Sequence, residues 1–301
     1  MRNPMQRLAC LLALLAHPLA AQDPAAVELK SEKMGEGVWM ITGQGGNIGV
    51  CAGKDGVLLI DDQFAPLTAK VKEAVKALSD KPIRFLINTH WHGDHTGGNE
   101  NFGRAGVLIV AHENVRKRMS VEQFQEAFGR KTPPAPEAAL PVVTFAESVT
   151  FHYNDEEIHA FHMPPAHTDG DSAIRFRKAN VLHMGDLFFN GMYPFIDLSS
   201  GGSVDGVIGA ADRILEMTDE KTRIIPGHGP AATRADLEAY RAVLSDVRDR
   251  VAKLLDEGKS VAEVVAARPS SDYDEKWGKG FMKPDKFVEI VATDLAAGRS
   301  K

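Results

Sequence analysis

Six consecutive residues, His90-Trp91-His92-Gly93-Asp94-His95, hold three imidazoles and a carboxylate. They follow an apolar run, Ile83-Arg84-Phe85-Leu86-Ile87, that reads as a buried strand. The four polar groups therefore stand at the carboxyl end of a strand, where open α/β sheets place their ligands. Neutral imidazole and carboxylate suit a divalent, borderline-soft cation such as zinc. The spacing lets His90 and His92 reach one ion while Asp94 and His95 reach a second beside it. An incidental polar turn would rarely gather three of the chain's eleven histidines into six positions.

The 301 residues are 44% hydrophobic and 25% charged, an ordinary globular composition. That length can bury a large core, as one domain or two fused halves. A net charge of −6 gives no reason to expect nucleic acid or an anionic membrane surface as a partner. Residues 1–21 are read apart from the fold. Arg2 and Arg7 precede an apolar run over 8–16, and small residues close it at Ala20 and Ala21. This is the pattern of a secretory signal peptide, cleaved near Ala20 or Ala21. The run is too short to span a bilayer. The expectation is a periplasmic or secreted protein, free of the membrane after cleavage, with 22–301 as a single domain. Cys10 opens the apolar run instead of following it, which argues against a lipid anchor. Cleavage takes the net charge to about −8, because it removes Arg2 and Arg7 and no acid. It leaves Cys51 as the one cysteine, so no internal disulfide forms. Cys51 lies in a strand-like segment and reads as a small buried hydrophobe.

Turn glycines separate three expected strands at 38–42, 47–52 and 57–61. A helical period covers 65–78. Strands are expected at 83–87 and 107–110, and a helix over 112–119. The stretch 120–140 contains Pro133, Pro134 and Pro136 and reads as an extended surface loop over the site. Strand patterns resume at 142–145, 149–153, 158–163, 173–176 and 181–184. A helix over 204–217, a strand at 223–225 and helices over 234–255, 261–267 and 287–295 complete the chain. Strands and helices thus occur in two successive groups, which fits sheets that each hide one face.

Three further candidate ligands lie in glycine- or proline-punctuated turns after short strands. They are His167 in Pro165-Ala166-His167-Thr168-Asp169, Asp186 in Met184-Gly185-Asp186-Leu187, and His228 in Pro226-Gly227-His228-Gly229-Pro230. Together with the first motif, these residues resemble the five-part signature of the metallo-β-lactamase superfamily. The resemblance covers about 38–230. It implies a four-layer αββα sandwich and two zinc ions. It places His90, His92 and His167 at one ion and Asp94, His95 and His228 at the other. Asp186 would bridge both, or at least complete the second.

Two departures bear on the substrate. In the best-known β-lactamases of this superfamily a cysteine stands at the Asp186 position. The carboxylate is similar to that of the glyoxalase II, lactonase and phosphodiesterase branches, although the spacing from His167 to Asp186 and on to His228 resembles the β-lactamase subgroup. The lysine that many of those β-lactamases use to hold the substrate carboxylate would fall at Phe189. In the superfamily an Asp after the strand at 57–61 often orients a metal-binding histidine, which makes Asp61 a candidate support. His162 and His183 are candidates for outer donors. His112, His152 and His159 read as packed or surface groups. Trp91, Phe188 and Phe189 read as pocket wall or core. Tyr193 is a candidate to polarise a substrate carbonyl, with a place in the wall as the plainer reading.

The mechanism implied is hydrolysis of a small molecule. Two ions sharing a water lower its pKa enough to supply hydroxide to a carbonyl or phosphoryl centre. Asp94 would orient that nucleophile and pass a proton. Glycines 93, 97 and 98 would let the backbone pass close to the ions. Export favours β-lactam ring opening, and Asp186 favours lactone or thioester hydrolysis as the alternative. An iron redox enzyme on the same scaffold and a binding module without turnover are different classes. The turns at 43–46, 120–140 and 190–202 carry the substrate preference, and oligomeric state is not readable.

Overall fold

A computed structural model describes residues 23–299. The expected signal peptide, with Cys10, lies outside the described residues. Two sheets dominate. The first begins with the antiparallel strands β1 (Lys30–Gly35), β2 (Val38–Thr42), β3 (Ile48–Gly53) and β4 (Gly56–Ile60). It continues in parallel through β5 (Ile83–Ile87) and β6 (Leu108–His112). A small hairpin, β7 (Gln123–Gln125) and β8 (Arg130–Thr132), intervenes before the short strand β9 (Val143–Phe145) closes that sheet beside β6. The second sheet holds β10 (Ser148–Tyr153), β11 (Glu156–His162), β12 (Ser172–Phe176), β13 (Val181–Phe189), β14 (Arg223–His228) and β15 (Ala232–Thr233), in that spatial order. Its neighbours are antiparallel except for the parallel pair β13 and β14.

Alternation along the strands builds the layers. On β4, Leu58 and Ile60 face inward and join Met40, Ile87, Ile158, Ile174 and Ile225 in a core shared by both sheets. Val57 and Leu59 face the other way and pack on Val71 and Val75 of α1 (Thr68–Leu78). On the far side, Leu182, Met184 and Ile224 pack against helices. These are α5 (Val204–Glu216), α6 (Arg234–Asp256) and the C-terminal helix at Pro284–Arg299. Each buried Leu, Ile or Val adds roughly 1.5–3 kcal/mol of burial free energy. Because nearly every residue of β3 and β4 hides on one face or the other, these central strands read as continuous apolar runs. The result is the expected αββα sandwich.

Several expectations need correction. The 120–140 stretch is not a bare loop. It folds into the β7–β8 hairpin, with Gly129 at φ +58 turning the chain. Gln123 ties it to Arg118 through two hydrogen bonds. β1 was missed because only Met34 in it is buried, so no apolar alternation marks it. Asp186 sits within β13, not in a turn after it. β13 runs on to Phe189 through an irregularity at Gly185, which takes φ +51. Helices α2 (Gly93–Thr96), α3 (Asn99–Arg104) and α8 (Ser271–Trp277) are too short to show a period. The expected helices over 112–119 and 261–267 are α4 (Glu113–Met119) and α7 (Val261–Ala266), and the last, α9 (Pro284–Arg299), is longer than the expected 287–295.

Candidate metal centre

Parallel strands put their carboxyl ends together, and these ends carry the site. Asp61 follows β4, β5 leads into His90–His95, and β13 and β14 deliver Asp186 and His228. His167 comes from the loop between β11 and β12. That loop is locked by Asp171, whose carboxylate accepts from the backbone N–H groups of His167 and Thr168 and from Thr168 Oγ1. Burial pushes Asp171 up to about 7 against these donors.

All seven residues expected to bind metal converge, in two groups that could each hold an ion. One comprises His90, His92, His167 and Asp186; the other comprises Asp94, His95 and His228. Within each group the candidate ligand atoms lie within 4.8 Å of one another. Asp186 joins the two. Its Oδ2 lies 3.5 Å from His167 Nε2 and 3.8 Å from His90 Nε2. Its Oδ1 lies 3.0 Å from His95 Nε2 and 3.4 Å from His228 Nε2. Asp94 Oδ2 is 3.3 Å from His228 Nε2.

The donor set fits divalent cations. His90 Nε2 and Asp186 Oδ1 are buried with no hydrogen-bond partner among the described residues. His167 Nε2 and His92 Nδ1 face each other at 2.9 Å. Desolvated polar atoms left this way are costly unless a ligand meets them. Burial lowers the imidazole of His167 to about 4 and that of His90 well below its ordinary value, which keeps both in the neutral, ligating form. Burial also opposes protonation of His228, but Asp186 and Asp94 outweigh it and raise that ring to about 9. Asp94 is held well below the usual carboxylate range, since His95 and His228 outweigh its burial.

The outer contacts fix which ring nitrogen faces the centre. Asp61 Oδ2 takes His95 Nδ1 at 2.8 Å and Thr89 Oγ1 at 2.7 Å, so Asp61 supports a histidine as expected. His90 Nδ1 meets Thr89 Oγ1 at 3.0 Å. His167 Nδ1 donates to the Phe195 carbonyl at 2.8 Å. His92 Nε2 meets Asp197 Oδ2 at 3.0 Å, which turns Nδ1 inward. Asp197 was missed in the sequence. Its only local signal is the Asp197-Leu198-Ser199-Ser200 turn that its carboxylate caps. Ser200 Oγ donates to that carboxylate and accepts from Trp91 Nε1.

The other candidates fall elsewhere. His183 bonds the Asn47 carbonyl, and His162 bonds the Asp171 carbonyl and stacks on His112 at 3.8 Å. Neither ring forms a hydrogen bond or a ring contact with a candidate ligand side chain. Tyr193 is fully buried, its hydroxyl bonded to the Ser270 carbonyl and Asp274, so it neither polarises a substrate nor lines the cleft. Phe189 stacks on His228 with centroids 5.0 Å apart. Gly97 and Gly98 are needed for close packing on residues 62–64, whereas a Cβ on Gly93 would meet nothing. Above the centre opens a cleft of about 500 Å³, lined in part by Phe64, Trp91, Phe128, Arg130, Phe195 and Phe281.

Residues 41–230 match the family described as the metallo-beta-lactamase superfamily. This chain belongs to that superfamily. It is 21% identical over 204 residues to the human acyl-coenzyme A thioesterase MBLAC2, covering 64% of this chain and 72% of the relative. It is 25% identical to a hydroxyacylglutathione hydrolase of Pelagibacter ubique over 166 residues, 53% of this chain and 58% of that one. A metallo-beta-lactamase structure from Pontibacter korlensis superposes with a TM-score of 0.60 at 21% identity, over 73% of this chain and all of the other. Superfamily membership, hydrolase relatives and the His/Asp centre make this chain a hydrolase of a metal-binding superfamily. Among the described residues no helix is long and apolar enough to cross a membrane.

Proposed function

We propose that this chain is an exported dinuclear zinc hydrolase acting on the carbonyl of small esters, lactones or thioesters. The observation that carries the reading is the carboxylate of Asp186, whose two oxygens divide between the two histidine groups. His90, His92 and His167 would hold one ion, Asp94, His95 and His228 the other, and Asp186 would serve both. Zinc bound there would polarise the substrate carbonyl and lower the pKa of water, supplying a nucleophile near neutral pH.

The chain's own groups do the rest. Asp94 has a side chain 26% exposed in the cleft and is the carboxylate placed to accept a proton from the attacking water and return it to the leaving group. Asp61 and Asp197 keep His95 and His92 in single orientations, so the centre needs little reorganisation during turnover. Phe195 and Trp91 shield the floor from bulk water.

β-lactam ring opening is the second reading. The spacing of His167, Asp186 and His228 supports it, as does the leader-like segment 1–21, which would carry the protein to where β-lactams act. Phe189 weighs against it, because a ring stacked on His228 stands where those β-lactamases offer a lysine.

The test is to purify the protein without residues 1–21, count its metals, and assay a thioester, a lactone and a chromogenic cephalosporin. Two zincs per chain with chelator-sensitive thioester or lactone cleavage, lost in His92→Ala, is the expected result. Iron in place of zinc, or activity that His92→Ala leaves intact, would overturn it.

A further inference from the structure

The cleft has a lopsided chemistry. Its floor is acidic, with Asp94 and Asp186 among the candidate ligands. Its rim is aromatic. Phe64, Phe128 and Phe281 line it while 37%, 49% and 52% exposed, an unusual display for large apolar rings. One Lys or Arg side chain lines it among the described residues, that of Arg130 on β8. Arg130 forms no side-chain hydrogen bond, ion pair or ring contact with any described residue. Its neighbour Lys131 behaves differently: it lies outside the cleft lining and pairs with Glu122 at 2.8 Å.

An unpaired guanidinium in an aromatic-rimmed cleft is a reader of carboxylate, phosphate or sulfate, since its fork matches two oxygens at once. The hairpin that carries it is tied to the centre. Phe128 packs on Phe195 at 4.8 Å, and the Phe195 carbonyl holds His167 Nδ1. Recognition on the hairpin therefore occurs on the same wall that sets one histidine of the centre.

Resting on the hydrolase reading above, we propose that Arg130 determines specificity by selecting carbonyl substrates with an apolar or aromatic body and an anionic group set apart from the bond that breaks. The floor binds the carbonyl end, the rings take the body, and Arg130 takes the anion. Neutral acyl compounds lack the last contact.

The test uses the metal-loaded protein and two ligand pairs. The first pair is two unreactive N-aryl amides that differ only in an aryl carboxylate against a carboxamide, and their Kd values are measured. The second is the corresponding pair of thioesters, whose KM and kcat are measured. The carboxylate should bind about fivefold more tightly at low salt, with the preference shrinking as salt rises. Arg130→Gln should bring the two amides to within about twofold of each other, Arg130→Glu should reverse the order, and Arg130→Lys should keep part of the preference. Lys131→Gln should keep all of it. Equal affinities in the unsubstituted protein, or a preference that survives Arg130→Gln, would overturn the assignment. Preference among the amides with no thioester turnover would remove the hydrolase reading and leave the Arg130 assignment standing. Turnover without preference would do the opposite.

Discussion

Asp61 holds His95 by a contact of 2.8 Å between Oδ2 and Nδ1, and the same oxygen accepts from Thr89 Oγ1. Asp61 is itself held, since its other oxygen accepts from the Thr89 backbone N–H and its own backbone takes φ +62. The imidazole therefore presents Nε2 to Asp186 and Asp94. Asp61→Asn keeps the shape and removes the charge behind the ring. Metal affinity should fall by about 10–100-fold, read by competition with a chromophoric chelator. Unchanged affinity would mean that packing alone orients His95.

Asp197 plays the matching part for His92 from a loop far away in sequence. Asp197→Ala should release the ring and also free Ser200 Oγ, the acceptor for Trp91 Nε1. Two signals are expected together: a loss of metal affinity of roughly 10–100-fold and a shift in tryptophan emission. A shift in emission with metal affinity intact would separate Asp197 from the centre.

Gly227 sits against Asp186. A Cβ there would meet Asp186 Oδ1 at 2.1 Å and the Gly185 carbonyl carbon at 2.5 Å, so backbone must move. Gly227→Ala should cost about 1–3 kcal/mol in denaturant unfolding and lower the metal content. Gly93→Ala is the contrast, because a Cβ there meets nothing within 4 Å. It should change stability by under about 0.5 kcal/mol. Equal losses in both would refute the steric account.

Cys51 sets a pH limit. Burial raises its thiol from an ordinary 9.0 to about 11, against a weak hydrogen bond from Asn154. Between those values the folded chain keeps the proton that the unfolded chain releases. The contribution is fully present below about pH 9 and lost as pH rises toward 11, at most on the order of 2–3 kcal/mol. Cys51→Ala should flatten that part of the stability curve. A thiol-reactive dye at pH 8 should label Cys51 only after denaturation. Fast labelling of the native protein would contradict the burial.

Removing metal with a chelator should lower stability as well as activity, because ions that bind only the folded centre stabilise it by linkage. At a hundredfold excess over Kd the effect is about 2.7 kcal/mol per site, visible as a drop of several degrees in Tm that added zinc reverses. A Tm indifferent to chelator would mean that the centre is not loaded in the folded protein.

The order of chemistry along the chain was open to a reader of the sequence. The run from His90 to His95, the glycines beside Asp186 and His228, and the apolar strands before them are local patterns, and local backbone preference enforces them. The alternation of Leu58 and Ile60 with Val57 and Leu59 could not show its meaning, because both sets are apolar and only the second sheet and α1 tell the faces apart. β1 and α8 escaped for the opposite reason, having too few buried residues to make a period. Tyr193 was misplaced because a tyrosine near a ligand in sequence need not be near it in space. Its hydroxyl went to the C-terminal helices.

What the sequence by itself determined is the identity of the donors and the strand ends that carry them, since ligand chemistry and strand period belong to single segments. The family resemblance already implied how those donors divide, and only the tertiary structure decided what surrounds them. Asp197 reaches His92 across 105 positions, and Arg130 enters the cleft on a hairpin. Each of these depends on distances between segments that the chain brings together only when both sheets have buried their faces.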